Sequence, residues 1–184
     1  MIADIEKETA LVEAILYLES DPVDEGAIVR ITGFSKDTVK GALDNLSGRY
    51  LSSDCGLELS RIGGGIMISP KREYWENLKE RYGKKNEGKI SRAAMETLAI
   101  VAYSQPVTRA EIEKIRGVSA DNMIRFLLEK GLVRETGKKD IPGKPVQYGT
   151  TREFLKVFSL NTIADLPKLN EADREKFELE GEKY

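Results

Sequence analysis

The 184-residue chain has no histidine, one cysteine and one tryptophan. Histidine is the commonest general base near neutral pH and the commonest metal ligand. Its absence removes the usual agent of hydrolytic, proton-shuttling and zinc chemistry. Cys55 lies between Asp54 and Gly56. Alone, it closes no internal disulfide, and no histidine is present to activate it, so it reads as a passive thiol. No run of 18 apolar residues is present, which excludes a transmembrane helix. The N-terminus lacks the basic start and apolar run of a secretory signal. A cytoplasmic protein is the expectation. Zinc motifs, a Walker loop and a dinucleotide fingerprint are also missing. Gly63-Gly64-Gly65 lies between two strand-like runs, not between a strand and a helix, so it reads as a hairpin turn and not a phosphate cradle. Acidic residues are scattered over polar helix faces. The expectation is no enzyme, no cofactor and no metal.

What the chain does contain, it contains twice. At an offset of 84 residues, ten positions between 10 and 46 match: Ala10, Ser20, Pro22, Val23, Ile28, Ile31, Gly33, Ser35, Asp37 and Leu43. Chance gives roughly two at ordinary composition. The period is too long for a solenoid unit and fits a small domain. Each copy opens on a helix, over residues 7–19 and 91–103. Pro22-Val23 and Pro106-Val107 then form short extended crossings, because proline ends a helix ahead of it. Thr108 with Glu111 makes a capping box for the next helix, which buries Ile112 and Ile115 (Ile28 and Ile31 in the first copy). Gly33 and Gly117 close these helices. After Phe34 or Val118, Ser35 or Ser119 caps the third helix. In the second copy that helix places Ala120, Met123, Ile124, Leu127 and Leu128 on one face. A hairpin ends each copy. Leu57 and Leu59 return as Ile66 and Ile68, while residues 132–136 return as 146–150 around a Gly- and Pro-rich loop.

Three helices and a hairpin form a winged helix. The fold class expected is mainly α with small β-hairpins (α+β), as two tandem winged-helix domains. The first covers residues 1–83, including a connecting helix at 71–83 with Tyr74, Trp75, Leu78 and Tyr82 on its apolar side. Residues 84–90 form a linker, 91–169 the second domain, and 170–184 a charged, disordered tail.

Charge weighs against a strong DNA reader. Residues 1–83 carry 10 basic and 15 acidic side chains, a net of −5, and residues 91–169 carry 13 and 9, a net of +4. Duplex affinity is dominated by phosphate neutralisation. Both third helices are neutral, with Arg125 and Lys130 set against Asp121 and Glu129 in the second. Groove-reading helices present surplus Arg or Lys. Only the second wing tilts positive, through Arg134, Lys138, Lys139 and Lys144 against Glu135 and Asp140. It is either a modest sequence-blind DNA contact or a solvated loop.

Two features fit protein partners. The first helix is apolar nearly all round, with Leu11, Val12, Ala14, Ile15, Leu16, Tyr17 and Leu18, and one core needs only a stripe. The excess marks either a self-association face or a helix central to its own domain. Phe126 shares the outer side of its helix with Asn122 and Arg125, while the first copy has Ala42 there. It is either a binding anchor or a residue packed under the wing.

The stretch Leu98-Ala99-Ile100-Val101-Ala102-Tyr103-Ser104-Gln105-Pro106-Val107-Thr108-Arg109-Ala110-Glu111-Ile112 resembles the segregation and condensation protein B (ScpB) family. So do Ile115-Arg116-Gly117-Val118, Leu127-Leu128-Glu129-Lys130-Gly131-Leu132, the wing loop 137–145, and Tyr148-Gly149-Thr150-Thr151 with Glu153-Phe154-Leu155. The resemblance covers roughly residues 7–169 and is densest in the second copy. It implies a non-catalytic adaptor that dimerises mainly through its first domain. The implied partner is the kleisin subunit ScpA, which bridges an SMC ATPase in chromosome condensation and segregation during cell division. It places the protein in the cytoplasm, associated with the nucleoid, with DNA contact chiefly through the complex. A tandem winged-helix transcription regulator is the alternative. The expected dimer interface is Leu11, Val12, Ile15 and Leu18. The expected kleisin contacts are Arg109, Arg116, Asn122, Arg125 and Phe126, and the expected DNA contacts are Lys138, Lys139 and Lys144.

Overall fold

The computed structural model describes residues 2–82 and 90–169. The chain divides into two compact units between Glu87 and Gly88. Of the expected linker only Ile90 is described, and the tail 170–184 lies outside the described residues.

In the first unit, α1 (Ile2–Leu18), α2 (Glu25–Thr32) and α3 (Lys36–Tyr50) precede the wing strands β1 (Leu57–Ile62) and β2 (Gly65–Pro70). Asp24 caps α2 by accepting from Ala27 N at 2.8 Å, and Gly33 closes it in the left-handed region at φ 72°. Ser35 caps α3 through Thr38 N at 3.1 Å. The wing turns on Gly63 and Gly64, both at positive φ. The core gathers Val12, Leu16, Ile28, Val39, Leu43, Leu46 and Ile66. Burying Ile28 or Leu46 fully is worth about 1.5–3 kcal/mol each. Val23 bridges Ile66, so the crossing after Pro22 adds a rung to the wing. Ile31 departs from expectation. It is 55% exposed, because an eight-residue helix lying on one core buries a narrow stripe centred on Ile28.

After Pro70 the chain makes a 3-10 turn (Arg72–Tyr74) and then α4 (Trp75–Tyr82). The expected connecting helix therefore starts one turn late. Its apolar side is only partly covered: Leu78 is half-buried, while Tyr74, Trp75 and Tyr82 are exposed.

The second unit repeats the plan with α5 (Arg92–Ser104), β3 (Val107–Thr108), α6 (Arg109–Arg116), α7 (Asp121–Glu129), β4 (Val133–Lys138), β5 (Val146–Thr150) and α8 (Arg152–Val157). The bounds of α2 and α6 differ by the 84-residue offset at both ends. Strand order is β3-β5-β4, all antiparallel, with a bulge in β4 at Thr136 where Glu135 and Gly137 oppose successive partners. Leu98, Ile100, Val101, Ile112, Ala120, Ile124, Leu127 and Phe154 fill the core.

One glycine pair extends the repeat into the wings. A Cβ on Gly65 would lie 2.7 Å from the Pro22 backbone, and one on Gly149 would lie 2.8 Å from Thr136 and 2.9 Å from Gln105 Oε1. The two positions are 84 apart. At Gly65 the second wing strand lies against backbone, with no room for a Cβ; at Gly149 it lies against the side chains of Thr136 and Gln105.

Candidate surfaces of the two units

The outer face of α1 carries Ala10, Leu11, Ala14, Tyr17 and Leu18, all exposed, with Tyr17 and Leu18 at 79% each. The expected interface quartet divides. Val12 and Ile15 are buried within the first unit, at 0% and 9% exposure, and Val12 belongs to its core. Leu11 and Leu18 lie seven residues apart, two helical turns, and so stand on one side. The helix thus covers its own core on one face and leaves a second apolar face exposed. Behind it, Glu13 ties α1 to the end of α3. Tyr50 Oη donates to Glu13 Oε1 at 2.5 Å and Arg49 Nη1 to Glu13 Oε2 at 3.0 Å. Burial, and then that carboxylate, push the Tyr50 phenol well up from its ordinary value.

In the second unit α6 is locked at both ends. Thr108 Oγ1 accepts from Glu111 N at 3.4 Å, while Glu111 Oε2 accepts from Thr108 N at 2.7 Å. The other Glu111 oxygen accepts from Lys139 Nζ of the wing at 2.5 Å. Partial burial would raise the Glu111 carboxyl, but the hydrogen bonds from Lys139 and Thr108 outweigh it and hold the group below its ordinary value. Glu113 spans the corner. Its Oε1 accepts from Ser119 Oγ at 3.3 Å and from Ala120 N at 3.1 Å. The residue capping α7 is therefore Ala120, with no side-chain cap of its own, not Ser119 as expected. Arg109 pairs with Asp121 at 2.6 Å and, more loosely, with Glu113 at 3.8 Å. The hydrogen bond and charge of Asp121, then the charge of Glu113, raise the Arg109 guanidinium further.

Arg116, expected as a kleisin contact, has its side chain held inside the unit. Its side chain is 6% exposed, Nη1 donates to Ser119 O at 3.0 Å, and Nε lies 3.7 Å from Glu96, beyond hydrogen-bond reach. It pins the corner from inside. Phe126 is half-buried, packs on the core, and has Lys130 Nζ 5.7 Å from its ring centroid. Of the expected kleisin set, Asn122 and Arg125 are exposed on α7, and Arg109 is exposed but already paired. Lys139 is likewise engaged, whereas Lys138 and Lys144 are exposed without an ion pair among the described residues.

A hollow of about 620 Å³ lies between the end of α5 and the segment 163–169, where Tyr103 Oη donates to Pro167 O at 2.7 Å. Its wall carries Lys168 but no carboxylate or thiol. Among the described residues no group of three or more Cys, Asp or Glu could hold a metal ion, and no helix is long and apolar enough to cross a membrane.

Two winged helices in tandem, with their unusual chemistry on outer faces and not in clefts, define the class as a tandem winged-helix protein. The family model for segregation and condensation complex subunit ScpB matches residues 10–169. Segregation and condensation protein B of Acetivibrio thermocellus is 41% identical over 165 residues, covering 89% of this chain and 83% of the relative. The crystal structure of ScpB from Mycobacterium tuberculosis is 30% identical, covers 84% of this chain and 96% of that one, and gives a TM-score of 0.40. That of a dimer of the ScpB N-terminal domain complexed with ScpA peptide is 21% identical, covers 43% and 92%, and gives 0.41. The chain belongs to the ScpB family.

Proposed function

We propose that the chain is a non-catalytic, cytoplasmic adaptor of a bacterial SMC–kleisin complex. It acts in chromosome condensation and segregation as a homodimer that captures the kleisin ScpA. Membership of the ScpB family, over 10–169, carries this reading. The outer face of α1 supports it physically, because a contiguous exposed apolar strip on one helix is costly to leave in water. The first unit is the dimerisation domain, with Leu11 and Leu18 facing the partner copy. The second unit offers Asn122 and Arg125 on α7 to the kleisin. The transcription-regulator alternative gains nothing from the structure: α7 carries Arg125 against Asp121 and Glu129, and Asp121 is paired with Arg109.

Light scattering tests the dimer. The native chain is expected at twice its formula mass, and Leu18→Glu at once its mass with an unchanged circular dichroism spectrum. A native monomer that also fails to co-purify with the kleisin would overturn the reading. An interface of at least about 1,000 Å² is expected for a stable pair.

A further inference from the structure

The second wing is preorganised. Residues 139–145 join β4 to β5 and close on themselves: Lys139 N donates to Pro145 O at 2.9 Å, Ile141 N to Lys139 O at 3.0 Å, and Lys144 N to Ile141 O at 2.8 Å. Lys139 anchors the loop on Glu111. Pro142 and Pro145 restrict it further. Lys144 is held at φ 39°, a conformation that costs a non-glycine residue about 1–3 kcal/mol.

This rigid tip displays Ile141 at 45% exposure, flanked in the chain by Lys138 and Lys144. Lys138 pairs in register with Val146 at the end of β4, and Lys144 lies in the loop between them, so the two lysines and Ile141 belong to one turn of the chain. Residues 91–169 carry a net of +4. Asp140 is the one carboxylate of the loop. An exposed apolar residue with a lysine three positions away on either side has the composition of minor-groove binders, which combine cations with apolar wedges. Proteins that hold this groove combine cationic and polar side chains with apolar wedges set between base steps. The neutral α7 does not share that character.

We propose that the second wing is a sequence-blind contact for duplex DNA, with Lys138 and Lys144 against phosphates and Ile141 in the minor groove. Two phosphates make the contact weak, with a modest salt dependence of slope about −2. It requires neither the dimer nor the kleisin, so its test stands apart from that of the adaptor.

The test is fluorescence anisotropy of the full chain with two unrelated duplexes of about 30 base pairs, between about 50 mM and 200 mM salt. Expected are equal affinities for both duplexes and a log–log salt slope near about −2, from about −0.9 per phosphate. The double variant Lys138→Glu/Lys144→Glu is expected to bind at least about tenfold more weakly with a slope near zero. Ile141→Ser is expected to weaken binding while keeping the native slope. These side chains are exposed, so unchanged circular dichroism and melting accompany both variants. No binding at low salt, a double variant as tight as the native chain, or equal binding of a polyglutamate peptide would each overturn the proposal.

Discussion

Glu111 and Glu113 are two residues apart on α6 and hold different things. Glu111 joins the start of its helix to the wing through Thr108 and Lys139, and Glu113 joins the end of the same helix to α7 through Ser119 and Ala120. Because the folded Glu111 carboxyl lies below its ordinary 4.5, its stabilising effect is complete above that pH and is lost as pH falls through the folded value. Chemical denaturation of Glu111→Gln should show a deficit near neutrality that closes as pH falls below the ordinary carboxylate range. Screening at this part-exposed site limits the deficit to about 1 kcal/mol. The glycines divide as sharply. Gly65→Ala and Gly149→Ala force a Cβ into backbone or side-chain atoms and should lower the melting temperature by several degrees. Gly41→Ala meets open space inside α3 and should stabilise by about 0.5–1 kcal/mol. At this scale the sequence is only partly legible. The Thr108–Glu111 box and the Gly33 and Gly117 stops are local chemistry, readable from spacing. Arg116 is not, because its burial depends on Glu96 and on the Ser119 carbonyl, which no local pattern brings near.

The helices that were easiest to read are α2 and α6, whose caps and closing glycines recur at the 84-residue offset. Ile31 is harder to read, because whether a short helix covers it is set by packing against the rest of the unit, and it ends up exposed. The first helix shows the limit most plainly. Its apolar residues are countable in the sequence, but only the direction of the first core sorts Val12 and Ile15 from Leu11 and Leu18. Charge substitutions separate the two sides. Leu16→Glu places a carboxylate in the core and should abolish cooperative unfolding, whereas Leu18→Glu should melt as a folded monomer. Truncating Leu46 or Leu127 to alanine, each fully buried, should cost about 2–5 kcal/mol by urea denaturation.

The two units carry opposite charge, −5 over residues 1–83 and +4 over 91–169, and separate hydrophobic cores. Each is near the size at which a core sustains itself alone. Expressed separately, residues 1–87 and 88–184 should each unfold cooperatively, the first as a dimer and the second as a monomer, by sedimentation and thermal scanning. The family and the duplicated architecture were both visible in the sequence, because caps, proline crossings and turn glycines punctuate each copy in the same order. The division of labour between faces was not, because it depends on which side each helix turns inward. The matched closure of α2 and α6 has a genetic consequence. An unequal crossover joining the codons of Gly33 to those following Gly117 would excise 84 codons in frame. It would leave one chimeric winged helix, its opening helices inherited from the first copy and its corner helix and wing from the second.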